Sequence, residues 1–206
     1  MALNRTGYTA STPKHYLLDA GAIYKNLTFA PGATETEGTW DGELLGATSE
    51  GSTLTIEPTY RNIEVDGPKG PTKGGRALEE YVAGLEANVK EITAENYRLS
   101  VNGTIRDAAT DEAPAGYKVI EGKDYIEESD YEENIAYVGT LSGSDQPFIA
   151  ILENPFVTSA SEAEFADDSE AVIAMNFEAS ASPDDVAAGR QPWKIFFPPL
   201  REDAAQ

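Results

Sequence analysis

The sequence contains no cysteine and only one histidine, His15. Without cysteine the chain has no disulfide framework, no thiolate metal site and no cysteine nucleophile. A single histidine leaves little material for a zinc site or for a histidine general base. These absences argue against metalloenzymes and against thiol or histidine catalysis, and we expect no catalytic residue, no metal and no cofactor.

Long apolar runs and familiar catalytic motifs are absent as well. No stretch approaches the roughly 18 apolar residues of a membrane-spanning helix, and the opening residues MALNRTGYTASTPKHY lack the apolar core of a signal peptide. There is no GxSxG elbow, no HExxH pair and no Rossmann fingerprint. The segment GPKGPTKGG lacks the phosphate-loop spacing, GxxxxGK followed by Ser or Thr. We therefore expect a non-enzymatic protein, made in the cytoplasm, that does not enter a membrane.

Positive charge is scarce, because 15 lysines and arginines stand against 36 aspartates and glutamates, which gives a net charge of −21. Most of the excess is C-terminal, since residues 121–206 alone carry −15. Such a surface repels nucleic-acid backbones and anionic membranes, so neither is expected to bind tightly. An acidic, lysine-poor surface is also typical of halophilic proteins, which is a second explanation of the same charge.

Two acidic clusters, 124–133 and 162–170, raise the question of a calcium site or a carboxylate-based hydrolase. The ordered Asp-x-Asp-x-Asp-Gly series of a calcium loop is missing, so we expect a solvated acidic face. A glycosidase needs only two carboxylates beside a cleft, but among 36 such residues a pair carries no information. The hydrolase alternative requires a deep cleft and a carboxyl group with a raised pKa.

The hydrophobic pattern predicts a single, mainly β domain spanning residues 1–206, with an N-terminal arm at 1–14. The 18 glycines and 12 prolines indicate much turn and loop. The predicted strands are 15–29 with a bend or bulge at Gly21, a pair within 53–65 broken at Pro58, a hairpin of 131–141 and 147–153, a strand at 171–180 with one better-buried side, and a C-terminal strand and tail at 192–206.

One short helix is predicted at 94–101. Thr93 suits its N-cap, Glu95 lies in the first turn near the positive end of the helix, and the Asn-Gly pair that follows provides a stop. The preceding segment, 76–92, shows both helical and strand spacing, and its residue propensities favour a helix.

Two long polar segments, 30–52 and 104–130, are predicted to be loops. The first contains a solitary tryptophan, Trp40. A tryptophan in such a place suits either a plug in the protein's own small core or an anchor on a partner surface, and the pattern leaves both open.

Three separated stretches follow one another in a recognisable order. They are GELLGATSEGSTLTIEPTYRNIEVDG at 42–67, EANVKEITAENYRLSVNG at 86–103 and SEAVIAMNFEASASPDDVAAGRQPWKIFFP at 169–198. Together they resemble the major tail tube proteins of long-tailed, siphovirus-like phages and related tailed viruses. In that family a GATSGG-like run and a strand lead to R-x-I-x-V-D-G, a strand ending K-E-I-T precedes a short helix, and a late strand precedes P-W-x-I-y-y-P.

The resemblance implies a compact β-sandwich or half-barrel with one short flanking helix and long loops, and therefore a strand at 76–92. It implies that six subunits close into a ring whose sheets form one β-barrel around a lumen, and that rings stack into a tube around a tape-measure protein. Tail terminator and baseplate or tail-tip proteins are the other implied partners, and the location is the virion tail.

Segment 30–52 is then expected to pack against a neighbouring subunit or ring. The lumen would conduct viral DNA during ejection without binding it, because an acidic bore repels DNA. The alternative is a monomeric or low-oligomer adhesion module of a virion or cell surface that binds glycan or protein through its loops. The residues that we expect at the subunit and ring interfaces are Trp40, Asp41, Leu44, Leu45, Lys69 and Lys73.

Overall fold

The computed structural model describes residues 6–32, 38–159, 161–162 and 170–201. Within these ranges the chain forms eleven strands and two short α-helices. In chain order they are β1 (Leu17–Pro31), β2 (Gly38–Leu44), β3 (Thr48–Asn62), β4 (Arg76–Val89), α1 (Ala94–Ser100), β5 (Thr104–Asp107), β6 (Lys118–Glu121), β7 (Asn134–Leu141), β8 (Pro147–Glu153), β9 (Phe156–Val157), β10 (Ile173–Glu178), α2 (Pro183–Ala188) and β11 (Trp193–Phe196).

The strands pair into three antiparallel sheets. A five-stranded sheet has the order β11-β8-β7-β1-β2, and a four-stranded sheet has the order β3-β4-β10-β9. Strands β5 and β6 form a separate hairpin. The prediction of a mainly β chain is confirmed, as is the strand at 76–92, which is β4 and not a helix.

One core fills the space between the two larger sheets. The five-stranded sheet contributes Ile23 and Ile135, and the four-stranded sheet contributes Leu85 and Phe177. Helix α1 adds Leu99 at the flank. These side chains alternate with outward-facing residues along their strands, and burying each contributes about 1.5–3 kcal/mol of transfer free energy.

The opposite face of the five-stranded sheet is also apolar, and the chain covers it with its own ribbon. From Thr28 onward β1 pairs with β2 and no longer with β7. The freed end of the β1–β2 hairpin, called the distal ribbon below (residues 28–31 and 38–41), packs Trp40 on this face. The buried residues beneath it are Leu27, Ala136, Ile149 and Ile151.

The distal ribbon turns away at a β-bulge. Asn26 has a left-handed backbone with φ of 54°, and the register of β1 against β2 shifts between Lys25 and Thr28. The Leu27 N–H donates to Asn134 Oδ1 (2.8 Å), and Asn134 Nδ2 donates to the Leu27 carbonyl (3.1 Å). One side-chain amide thus satisfies both backbone groups that the bulge leaves without a strand partner.

The predicted bend at Gly21 is confirmed. The residue has φ of +71°, and the register of β1 against β7 shifts between Leu18 and Ala22. The ring of Tyr137 lies so close to Gly21 that a Cβ there would overlap it. Only glycine meets both demands at this position.

The predicted helix at 94–101 is confirmed as α1. Thr93 Oγ1 accepts a hydrogen bond from the Asn96 N–H (3.0 Å), as an N-cap should. The helix ends where Asn102 adopts a left-handed conformation with φ of 47°. The hairpin of β7 with β8 is confirmed too, and β10 buries one side, as the alternation indicated.

The prediction of a long loop at 30–52 is wrong. The segment comprises the end of β1, all of β2 and the start of β3, and Trp40 pairs with Phe29 across the distal ribbon. Threonine and tryptophan favour strands when they find cross-strand partners, and composition alone does not show those partners. Residues 33–37 lie outside the described residues.

The alternation slip near Pro58 has a different cause from the predicted break. β3 continues through the proline, and its register against β4 shifts between Thr59 and Tyr60, which marks a bulge. Pro58 is tolerated because β3 is at the edge of its sheet. The predicted loop at 104–130 is also partly wrong, since it contains the β5–β6 hairpin and a short 3-10 helix at Glu128–Asp130.

Helix α2 was not predicted, although its signals are in the sequence. The Ser182 side chain accepts a hydrogen bond from the Asp185 N–H (3.2 Å), and Pro183 occupies the first helical position. Gly189 ends the helix with φ of 64°. At this position the proline of SPDDVAAGRQP starts a helix.

Both terminal segments contact the turn between β7 and β8. The Ser142 N–H donates to the Tyr16 carbonyl (2.9 Å), and the Arg201 N–H donates to the Gly143 carbonyl (2.7 Å). Of the predicted N-terminal arm, residues 12–14 belong to a 3-10 helix, Thr12–His15, while residues 1–5 lie outside the described part, as do residues 202–206 of the tail.

Replacing Asn134 by Ala should destabilise the fold by roughly 2–4 kcal/mol, because it leaves the N–H and the carbonyl of Leu27 without partners. Urea unfolding of the dilute protein measures this. Gln146→Ala, which removes an exposed amide in the turn between β7 and β8, is the control and should change the free energy of unfolding by less than about 0.5 kcal/mol. Equal, small effects of both substitutions would show that the two hydrogen bonds between the Asn134 amide and the Leu27 backbone are not needed for stability.

Candidate assembly surface

The hairpin of β3 and β4 is longer than the core that it covers. Its proximal half carries buried residues such as Ala83 and Leu85. In the distal half, residues 57–62 of β3 are all exposed, and so are most residues of β4 from Arg76 to Glu80. This half projects from the packed body.

The projecting half keeps an apolar face. Ile56 still packs against the core, and Pro58 and Tyr60 continue the same side of β3 at alternate positions. Opposite Tyr60 stands Leu78 on β4. Tyr60 is 58% exposed and Leu78 is 47% exposed. Together with Pro58 they form a solvent-exposed apolar stripe that continues the core-facing side of the sheet. Neighbouring large apolar residues without cover mark an interaction surface.

The opposite face of the four-stranded sheet is acidic. Its exposed residues include Glu57, Glu80, Glu86 and Glu178, which alternate with the core-facing positions of β3, β4 and β10. Among the described residues of this face the one arginine is Arg61, and its Nε is 3.1 Å from Glu79 Oε1 on β4. The face is therefore net negative.

The outer edge of β3 is open along 15 residues, since no described strand pairs with it. An exposed edge of this length presents unpaired N–H and C=O groups and is a template for another strand. Natural proteins keep monomeric edges short, charged, bulged or covered, or place proline in them. β3 carries Pro58 and a bulge, but it remains uncovered over 15 residues. The edge thus fits a sheet that continues into a second chain.

The loop that joins β3 to β4 carries unpaired positive charge. Ten lysine and arginine side chains of the described ranges form ion pairs within the chain. Three cations have no ion-pair partner among the described residues, and all three lie in residues 67–76, which contain no carboxylate. They are Lys69, Lys73 and Arg76.

The predicted interface residues at 40–45 do not form one surface. Asp41 and Leu44 are exposed. Leu45, expected at an interface, is instead 3% exposed and belongs to the main core. Its backbone N–H donates to the Ile23 carbonyl (2.9 Å), so the chain turns inward there.

Trp40 is half-buried and bridges two elements of its own chain. Its ring centroid is 5.1 Å from that of Phe29 on β1 and 5.1 Å from that of Phe196 on β11. Of the two interpretations that the sequence left open, the contacts favour the plug. No local pattern indicated Phe196 as the partner of Trp40, because 156 positions separate the two residues.

The acidic cluster at 124–133 is not wholly a solvated face. Asp130 is buried, and its carboxylate pairs with the Lys123 ammonium and accepts the Glu127 N–H (2.8 Å). Glu132, half-buried, pairs with Arg98 of α1 (3.3 Å). These carboxylates fix the loop to the body. Of the second cluster, residues 163–169 lie outside the described residues.

The electrostatics do not favour a hydrolase. In the described part of the chain, the carboxyl groups whose pKa clearly departs from the ordinary value all have it lowered, whereas a general acid needs a raised pKa. For example, hydrogen bonds from the Arg106 guanidinium lower the pKa of both Glu112 and Glu121. The groups are Glu95, Glu112, Glu121, Asp130, Glu170 and Asp185.

The described residues contain no group of three or more histidine, aspartate or glutamate side chains placed to hold a metal ion. They also contain no helix that is long and apolar enough to span a membrane. The sequence matches no protein-family model and no curated protein. Function is therefore inferred from geometry and charge.

Trp40→Ala should destabilise the fold by about 2–3 kcal/mol, because it uncovers the second apolar cluster and removes two ring contacts. Chemical unfolding of the unassembled protein measures this, and Tyr117→Ala, at an aromatic residue that is 61% exposed, is the control. A double-mutant cycle with Phe196→Ala should show coupling. An unchanged stability with lost self-association would return Trp40 to the role of a partner anchor.

The Lys123–Asp130 pair should make the free energy of unfolding depend on pH in the acidic range. Burial alone would raise the pKa of Asp130, but the Glu127 N–H and the Lys123 ammonium outweigh it and lower the pKa below its ordinary value of 3.8. A lowered pKa in the folded state stabilises the fold above the unfolded pKa, and this contribution is lost as pH falls through the folded pKa. Asp130→Asn should remove that part of the slope in unfolding measured from pH 5 to pH 2, and a slope equal to that of the unmodified protein would contradict it.

Proposed function

We propose that this chain is a structural subunit of a viral tail tube, which closes with copies of itself into rings and stacks into a tube. The observation that carries the proposal is the projecting β3–β4 hairpin, with an open edge of 15 residues and an uncovered apolar stripe. A monomer gains nothing from this surface, whereas a ring uses all of it.

In this proposal the four-stranded sheets of neighbouring subunits join at the β3 edge into a continuous barrel. Closure removes the open edges and places one face of every sheet toward the lumen. The six-fold ring and the β-sandwich or half-barrel tube fold come from the resemblance in the sequence. The two-sheet core and the flanking helix α1 are compatible with that fold.

The lumen wall is assigned to the acidic face of the four-stranded sheet, with Glu57, Glu80, Glu86 and Glu178. Duplex DNA carries about one negative charge per 1.7 Å, so a basic wall would hold it, whereas this wall repels it. Viral DNA would pass without specific binding during ejection. The remaining partners of the proposal are a tape-measure protein inside the tube and terminator and baseplate or tail-tip proteins at its ends, all in the virion tail.

The second candidate function is an adhesion module, and a groove on the five-stranded sheet supports it. An apolar groove of about 470 Å³ lies between the distal ribbon and β11, with Trp40 and Phe196 in its wall and Lys194 at its rim. An aromatic groove with a few polar groups suits a glycan or a peptide. Such a module works as a monomer or small oligomer, so the state of assembly separates the two candidates.

Purified full-length protein should form rings and tubes by negative-stain electron microscopy and by sedimentation velocity across protein and salt concentrations. The double variant Tyr60→Glu with Leu78→Glu should abolish them, because it places charge on the apolar stripe that a ring would bury. Its stability should fall by no more than about 1 kcal/mol, because both residues are exposed and the cost is that of two like charges opposite each other on paired strands.

Val186→Glu is the matched control, because this residue is 69% exposed on α2 and lies away from the hairpin. It should assemble as the unmodified protein does. A chain that stays monomeric under all conditions, or a stripe variant that still forms rings, would overturn the proposed function.

A further inference from the structure

We propose that the hairpin tip of one copy (residues 67–76) binds the acidic base of the four-stranded sheet of a second copy, and that this contact joins one ring to the next. The acidic base is the end of the sheet around Ser49 and Asn88, with the carboxylates Glu50, Glu86, Glu162 and Glu170. The inference rests on the proposed function and names the contact by which its rings would stack.

The tip is the place where this acidic chain keeps its positive charge available. Ten other cations of the described ranges pair with the chain's own carboxylates, as with Arg106, which holds both Glu112 and Glu121. The tip cations Lys69 and Lys73 are exposed and have no partner among the described residues. The chain has a net charge of −21 and therefore many carboxylates. Exposed lysines without an ion-pair partner are unexpected in such a chain, which indicates that they serve a contact outside it.

The acidic base has the complementary character. Two adjoining depressions share Glu50 and Asn88 in their walls, and Glu86, Glu162 and Glu170 complete them. One cation, Lys90, reaches in and pairs with Glu170 (3.1 Å). Glu50 and Glu86 make no ion pair with any residue that the structure describes, so they are free to receive the tip of another copy.

Tip and base lie at opposite ends of the same sheet. Ser49 pairs with Asn88 at the base, and Asn62 pairs with Arg76 at the tip. At about 3.3 Å per residue the two ends are roughly 40–45 Å apart, so a chain cannot bind its own base. A contact between two different patches is heterologous, and repetition of it along one axis produces an open stack. Complementary charge at the two ends also fixes the polarity of that stack.

The experiment reverses the charges of each end in the full-length chain. The tip variant is K69E/K73E and the base variant is E50K/E86K. Tubes and rings are counted by electron microscopy and sedimentation at one protein concentration in 0.15 M NaCl. Each variant alone should give at least about a tenfold loss of tubes while rings persist, because like charges then face each other between rings. Mixing the two variants should restore tubes, since each tip then meets a base of opposite charge.

Asp111→Lys, at an exposed aspartate in the loop of the β5–β6 hairpin, controls for a charge reversal outside the tip and the base and should stack normally. Raising NaCl to 1 M, where the screening length is about 3 Å, should weaken the stacking of the unmodified chain. Variants that stack as the unmodified chain does, or a mixture that fails to restore tubes, would overturn the tip–base contact. If rings still form in that case, the proposed function is not contradicted.

If the unmodified chain forms neither rings nor tubes, the proposed function fails. The tip–base contact is then tested by measuring the self-association of the chain in solution. The dissociation constant of the head-to-tail dimer should then rise about tenfold in each variant and return on mixing. Equal dissociation constants for the unmodified chain and both variants would overturn the contact itself.

Discussion

The five-stranded sheet is apolar on both faces, and this constraint organises the rest of the molecule. One face is covered by the four-stranded sheet, and the other can be covered only by something that leaves the plane of the sheet. The bulge at Asn26 provides that departure, because it frees the distal ribbon to fold back with Trp40. The Asn134 amide makes the departure possible by replacing the lost strand partner. The four-stranded sheet is not fully covered in this way. Its core-facing side continues beyond the packed body along the β3–β4 hairpin, where its side chains are exposed.

Charge follows the same division between body and projection. In the body, carboxylates hold loops in place: Asp130 fixes the turn before β7, and Glu132 ties that turn to Arg98 of α1. Such pairs are partly buried and are screened less by salt than exposed ones. On the projection, the tip cations Lys69, Lys73 and Arg76 have no ion-pair partner among the described residues, and Tyr60 and Leu78 are exposed. A surface that combines unpaired charge with uncovered apolar area is the composition of an interface rim and centre.

The sequence predicted elements that depend on local signals and missed those that depend on distant partners. The cap of α1 at Thr93 and the bend at Gly21 are written in a few adjacent residues, and both were predicted. The strands within 30–52 were missed because the pairing of β2 with β1 and of β3 with β4 is not visible in composition, and Leu45 was misplaced for the same reason. The resemblance corrected the local preference at 76–92, where cross-strand pairing with β3 overrides helix propensity. The unpaired cations of the hairpin tip could be recognised only once the ion pairs of ten other described cations were known, since most of those pairs join residues from different elements.

The two explanations of the net charge, a lumen that repels DNA and a surface hydrated in brine, concern different carboxylates. Screening limits electrostatic reach to about 8 Å at physiological ionic strength and about 3 Å at 1 M. In the proposed tube, carboxylates farther than this from the lumen would not influence the DNA, whatever their number. In the proposed tube only the face of the four-stranded sheet would matter for passage, and its described cations, Arg61 and, at the base, Lys90, are already paired with Glu79 and Glu170. A saline environment would make the repulsion shorter in range without changing its sign, so the acidic face and a halophilic surface are compatible in one chain.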